Sequence, residues 1–160
     1  MCSSDLFAAI GPAQYSDAAG GKRTANSIIA TGADVILTMG DGASFGYLQA
    51  IETAKVGHKV WMIGDIGDLT PIDKNKVFLS SVLWTFTNAY KAAIADINKG
   101  TYGTHGYKLT LKNGGISLLR TKYIPTSVWK EIGTAKLGIV SGKVKVPNVS
   151  TKAAVLKLIG

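Results

Sequence analysis

The chain has little of what covalent and metal chemistry need. One cysteine, Cys2, stands among 160 residues, which excludes an intrachain disulfide frame and a cysteine zinc site. The two histidines, His58 and His105, fall in expected turns with no nucleophile beside them. There is no Gly-Lys-Ser or Gly-Lys-Thr phosphate loop, no Gly-x-Ser-x-Gly elbow and no His-x-x-x-His metal spacing. No stretch approaches the roughly 20 apolar residues that span a bilayer. Internal repeats and low-complexity segments are also missing. These absences point away from an enzyme and call for no cofactor or metal.

What is present is a globular composition, 46% hydrophobic and 18% charged, sufficient for one domain with a core. The formal net charge is +8, from 18 Lys and Arg against 10 Asp and Glu. The basic residues are scattered, with a loose C-terminal concentration (Lys136, Lys143, Lys145, Lys152, Lys157). That dispersion reads as a solvated basic surface, and no nucleic acid is expected as a partner. Residues 1–6 match nothing that follows and read as a non-native or disordered start. No apolar signal segment precedes Cys2.

Apolar patterning alternates between strand and helix. Phe7 to Ile10 is a short strand ended by Gly11-Pro12. Asp17 caps a helix to about Thr31, with Ala25, Ile28 and Ile29 on one face, and Gly32 closes it. Asp34 to Met39 is apolar without alternation, as expected of a strand covered on both faces. A helix follows, with Phe45, Leu48, Ile51 and Ala54 at helical spacing. Val60 to Ile63 and Val77 to Leu83 are two further strands. Phe86, Tyr90, Ala93, Ile94 and Ile97 mark a helix ended by Gly100. The reading is an α/β fold with a mostly parallel sheet and helices on both faces, over residues 7–105. Residues 106–160 differ in character. Tyr107 to Leu111 and Gly115 to Leu119 are expected to form a hairpin through Asn113-Gly114. Thr126 to Ser141 reads as a helix, Val144 to Val146 as a short extended piece, and the tail as a short helix.

The candidate site is the turn Gly40-Asp-Gly-Ala-Ser-Phe-Gly46, which follows a strand and opens a helix. Asp65 lies at the end of the next strand. Two readings use these residues. In one, Gly-x-Gly-x-x-x-Gly is a dinucleotide turn for NAD(P) with Asp65 on a ribose; Asp41 inside the turn opposes a pyrophosphate. In the other, amides at Gly42 to Ser44 and the carboxylates of Asp41 and Asp65 hold the hydroxyls of a ribose or sugar. Tyr15 and Trp84 then supply rings for stacking. All of these residues follow the carboxyl ends of strands, where open α/β sheets bind ligands.

An ordered set of motifs adds to this. Ser16-Asp-Ala-Ala-Gly-Gly-Lys22, Gly32-Ala-Asp-Val-Ile-Leu37, the glycine turn, Ser80-Ser81, Lys112-Asn-Gly-Gly-Ile-Ser-Leu118 and Ile139-Val-Ser-Gly-Lys-Val-Lys-Val-Pro147 together resemble the C-terminal part of the basic membrane protein (BMP) family. That family comprises solute-binding lipoproteins of ABC importers, including purine nucleoside receptors. The resemblance covers residues 7–147. It implies one lobe of a type I periplasmic-binding-protein-like fold, with a ligand clamped against an N-terminal lobe that has no counterpart here. It also implies that residues 106–160 return to that lobe. The expected partners are a nucleoside or related ligand and the importer's membrane subunits, and the expected location is the cell envelope, by a lipid anchor on the full-length protein. Gly40, Asp41, Gly42, Ser44 and Asp65 would face the ligand, with Asp65 on the sugar. Where the family turn is commonly Ala-Gly-Gly-Thr-Gly, this chain has Gly40-Asp-Gly-Ala-Ser44. Where many members carry a lysine after the fourth strand, it has Leu83-Trp84, which implies a differently read ring.

Overall fold

The computed structural model describes residues 15–147, 149 and 151–159. The expected strand Phe7 to Ile10 and the start at 1–6 lie outside the described residues. The chain divides into two units, residues 9–125 and residues 1–8 with 126–160.

The first unit runs α1 (Ala18–Ala30), β1 (Val35–Leu37), α2 (Ala43–Glu52), β2 (Trp61–Gly64), β3 (Phe78–Trp84), α3 (Thr87–Lys99) and β4 (Ile116–Leu118). The sheet order is β1-β2-β3-β4. The first three strands are parallel, and β4 is antiparallel to β3. This is the expected α/β class with a mostly parallel sheet. Asp17 caps α1 by accepting the Gly20 N–H at 2.8 Å, a contact worth about 1 kcal/mol. Gly100 ends α3 in the left-handed region, at φ 69°, where glycine carries no Cβ penalty.

The core joins Ala25 and Ile29 of α1 and Tyr47, Leu48 and Ile51 of α2 to Ile36, Met62 and Phe78 of the strands. Both helices therefore pack on the Ile36 side of the sheet. Backbone pairing of β1 runs from the Asp34 carbonyl, which accepts Trp61 N–H, to Thr38 N–H, which donates to Ile63. The expectation that this strand is covered on both faces is corrected: Ile36 is buried, but Val35 and Leu37 are 44% and 65% exposed. Its unbroken apolar run hides an alternation, because nothing among the described residues covers the other side.

The hairpin expectation is also corrected. β4 pairs with β3, in the register Val82↔Leu118 and Trp84↔Ile116, and residues 107–111 form no strand. Asn113 is the cause. Its side-chain oxygen accepts N–H groups of Thr110 and Gly115 at 2.9 and 3.0 Å, and its amide donates to the Lys108 carbonyl at 2.7 Å. The side chain thus satisfies backbone groups that a ladder would otherwise need. Freed from a local partner, β4 completes the sheet, and Ser80 and Thr121 hydroxyls brace it by donating to Leu119 and Leu79 carbonyls.

In the second unit, α4 (Thr126–Val140) and α5 (Lys152–Ile159) are helices as expected. Between them Gly142 turns the chain at φ 77°. The segment Val144 to Val146 forms no strand; Val144 N–H donates to the Gly138 carbonyl at 3.0 Å.

Glycine sets how closely α1 and α2 approach. A Cβ on Gly46 would overlap the Ala18 carbonyl oxygen, and one on Gly21 would lie 2.5 Å from the Ala43 oxygen. Gly46→Ala is therefore expected to cost about 2 kcal/mol, in the range for overpacking, read as a lowered urea midpoint at unchanged slope. Gly57→Ala meets no atom within 4 Å and is expected to stay within about 0.5 kcal/mol of the parent.

Candidate functional site

The carboxyl ends of β1, β2 and β3 form one rim, and Asp65 ties the three together. Gly40 N–H, after β1, donates to the Asp65 carboxylate at 3.4 Å. The Trp84 indole N–H, at the end of β3, donates to the Asp65 carbonyl at 2.5 Å. Asp65 itself directly follows β2. Burial raises its carboxyl above the ordinary carboxylate range, and the Gly40 hydrogen bond opposes that. Tyr47 lies beneath, its phenol also pushed up, first by burial and then by the Asp65 charge.

The glycine turn is shaped by close packing. A Cβ on Gly40 would press on Ala43 and Tyr47, and one on Gly42 would lie 2.8 Å from the Ser16 carbonyl oxygen. Ser44 is fully buried; its hydroxyl donates to the Gly40 carbonyl at 2.5 Å and its N–H to the Asp41 carbonyl at 3.0 Å. Ser44 therefore braces the turn from inside, with neither group presented to the rim. The Tyr15 carbonyl accepts the N–H groups of both Asp41 and Ala43, at 2.7 and 3.1 Å. Phe45 N–H donates to Gly42 at 3.3 Å.

These bonds bear on what the site can hold. The amides of Asp41, Ala43, Ser44 and Phe45 are all engaged within the chain, so the start of α2 has no cradle of open N–H groups for a pyrophosphate. With the Asp41 carboxylate exposed beside it, the dinucleotide reading loses its main physical support. What the rim presents instead is two carboxylates, Asp41 and Asp65, and two half-exposed rings, Tyr15 and Trp84. Such a set accepts hydrogen bonds from hydroxyls and stacks on a ring. The structure brings Gly40, Asp65 and Trp84 into direct contact, and reaches Tyr15 through its backbone.

Beyond Trp84 lies a cleft of about 460 Å³, walled by Phe86, Tyr90, Tyr102, Tyr107 and Leu109. Sequence periodicity finds Phe86 and Tyr90 as marks of a helix, and Tyr102 and Tyr107 carry no pattern that would gather them here. A clasp on Asp96 holds this wall. Its carboxylate accepts the Tyr107 hydroxyl at 2.6 Å and the Thr101 hydroxyl at 3.3 Å, and His105 Nε2 lies 3.3 Å away. Among the described residues there is no group of three metal-binding side chains, and no helix is long and apolar enough to cross a membrane.

Comparison with known proteins gives the chain a family and a fold. Residues 13–150 match the model of the Bmp family, described as ABC transporter substrate-binding protein, PnrA-like. No curated protein matches significantly. Among solved structures, a solute-binding protein of an ABC transporter system from Aeropyrum pernix K1 is similar at 20% identity and TM-score 0.73, over 91% of this chain and 48% of its own. One from Conexibacter woesei DSM 14684 is similar at 22% identity and TM-score 0.62, over 84% and 44%. A transcriptional activator of the comK gene from Bacillus halodurans is similar at 19% and 0.68, over 84% and 46%. At these identities the likeness is one of fold. The chain spans less than half the length of each.

The Asp96 clasp sets a spectroscopic expectation. The hydrogen bond to Asp96 pushes the Tyr107 phenol up to about 12, and the same bond holds the Asp96 carboxyl below its usual range. The clasp's contribution to stability is thus full between the ordinary carboxylate and phenol values. It is lost as pH rises through the Tyr107 value or falls through that of Asp96. In an ultraviolet titration one tyrosine is expected to ionise late, and Asp96→Asn is expected to return it to the ordinary range.

Proposed function

Given that this chain belongs to the Bmp family of PnrA-like ABC transporter substrate-binding proteins, we propose that it forms one lobe of a two-lobed receptor for a hydroxyl-rich ring ligand, a nucleoside or a close relative. The receptor delivers the ligand to the membrane subunits of an importer without chemical change, from the cell envelope, where a lipid anchor on the complete protein would hold it. The observation that carries this reading is the Asp65 tie, which sets a partly desolvated carboxylate, a glycine turn and an indole ring on one rim.

Each part has a role that its chemistry fits. Asp65 accepts hydroxyls of the sugar: its carboxylate is met by the backbone N–H groups of Gly40, at a long distance, and of Asp65 itself, and it keeps lone pairs for further donors. Asp41 gives a second acceptor beside it. Trp84, with its N–H already satisfied by the Asp65 carbonyl, offers a ring face held at a fixed angle for stacking. Tyr15, whose carbonyl holds the turn and whose side chain is exposed, would be a second ring. Gly40, Gly42 and Ser44 set the backbone and leave recognition to their neighbours. A neutral, hydroxyl-bearing ligand suits this pair of acids; a phosphorylated one would meet their repulsion.

Calorimetry on the complete receptor with purine nucleosides, riboflavin and simple sugars tests the ligand class, and no heat with any of them would rule it out. Asp65→Asn is expected to weaken binding about 10- to 100-fold, the loss of a charge-assisted hydrogen bond. Its effect on stability has the opposite sign. A carboxyl raised by burial favours its protonated form in the folded state, so its contribution is greatest at low pH and declines as pH rises through the raised value. At neutral pH the asparagine, which keeps an acceptor for Gly40, is expected to leave the thermal midpoint unchanged or raised. Binding by the parent protein is expected to be flat near neutrality and to weaken as pH falls through the Asp65 value.

A further inference from the structure

We propose that Tyr47 is a specificity-determining residue of the ligand rim: its hydroxyl and the Asp65 carboxylate grip one hydroxyl of the ligand between them, the phenol donating to it and the carboxylate accepting from it. This inference rests on the ligand reading above and adds a residue to it. Tyr47 lies in the second turn of α2 and is only 7% exposed. Its hydroxyl has no hydrogen-bond partner among the described residues, whereas every fully enclosed side-chain polar atom among them does have one. The hydroxyl is therefore not sealed in the core: the ring is buried and its tip reaches the surface. That tip lies at the rim. A Cβ on Gly40 would stand 3.3 Å from Tyr47 Cε2, a ring carbon next to the one that bears the hydroxyl. The charge of Asp65 acts on the phenol, yet no hydrogen bond joins the two groups.

A phenol donor and a carboxylate acceptor, near each other but unbonded, fit a hydroxyl better than any other small group. A hydroxyl accepts one hydrogen bond and donates another. An ether, a carbonyl or a fluorine accepts from Tyr47 but brings Asp65 no donor. An ammonium donates to Asp65 but cannot accept from Tyr47. The phenol keeps its proton throughout the neutral range, because burial first, and then the Asp65 charge, push it up. Burial also disfavours the Asp65 charge, so a ligand that leaves either group unpaired forfeits more than it would at an open surface. A site of this kind rejects an analogue that lacks the hydroxyl more strongly than one that differs by a methylene. Packing explains only part of the residue. The ring belongs to the core beside Leu48 and Ile51, and phenylalanine would fill the same space, so the hydroxyl is the part left for recognition.

Calorimetry on the complete receptor with adenosine and guanosine, each beside its 2′-deoxy and 3′-deoxy analogues, tests this. For the parent protein, one deoxy analogue is expected to bind at least about tenfold more weakly than the ribonucleoside. Tyr47→Phe is expected to weaken the ribonucleoside about tenfold and to leave that deoxy analogue unaffected. Its circular dichroism and thermal midpoint are expected to match the parent, since the hydroxyl holds no bond within the chain. An equal loss for the ribonucleoside and both deoxy analogues would mean a general packing role and overturn the proposal, as would binding indifferent to Tyr47→Phe. If Asp65→Asn still weakens binding in that last case, the ligand reading stands and the Tyr47 role alone falls. A parent protein that binds neither nucleoside overturns both.

Discussion

Three parallel strands end at one rim, paired as far as Thr38 with Ile63 and Gly64 with Ser81, and the residues beyond those pairs need a further connection. Asp65 supplies the connection. Its side chain takes the Gly40 N–H and its backbone carbonyl takes the Trp84 indole, so one residue spans β1, β2 and β3. The two bonds are of different kinds and have different consequences. The carbonyl bond is independent of pH and sets the angle of the indole. The carboxylate bond from Gly40 is long, and the acid keeps lone pairs for further donors. Rigid ring and available acceptor thus come from opposite halves of the same residue.

Glycine has a related double meaning in the turn before α2. The pattern Gly-x-Gly-x-x-x-Gly is read in other proteins as room for a phosphate. Here the room is taken by the chain itself: Ser16 lies against Gly42, Ala18 against Gly46, and Ala43 and Tyr47 against Gly40. The Tyr15 carbonyl then occupies two amides that a phosphate would have needed. The same spacing that permits an anion cradle permits a close helix crossing, and the structure uses it for the crossing.

Much of the fold was legible because its signals are local. Asp17 as a cap, Gly32 and Gly100 as helix ends, and the apolar face of α1 all act within a few residues, and each appears where expected. The candidate residues on the rim were legible for a topological reason, since strand ends in a parallel sheet converge whatever their spacing in the chain. The failures are where a distant partner decides. Asn113-Gly114 has a strong turn signal, yet the asparagine side chain rather than a second strand satisfies residues 108–115. The apolar run of β1 looks doubly covered because composition records which residues are apolar and not what lies over them. Tyr102 and Tyr107 gather by way of Asp96, a contact across a loop that no periodicity encodes. Ser44 looked like a ligand group because serine in a glycine turn commonly is one, but its burial and two internal bonds make it part of the frame.

If the rim is the ligand site proposed above, its chemistry narrows the ligand further than the fold does. A carboxylate in open water gains little from a new hydroxyl, because it exchanges one hydrogen bond for another. Asp65 is different, since burial already disfavours its charge. A donor brought to it relieves part of that cost, so the gain on binding is larger than at an exposed acid. In the proposed site the same logic disfavours a ligand that arrives with its own negative charge. It also rules against a purely apolar ligand, which would desolvate Asp65 further with no donor in return. The proposed ligand, a ring bearing vicinal hydroxyls, would meet both conditions, with its flat face toward Trp84 and its donors toward Asp65 and Asp41.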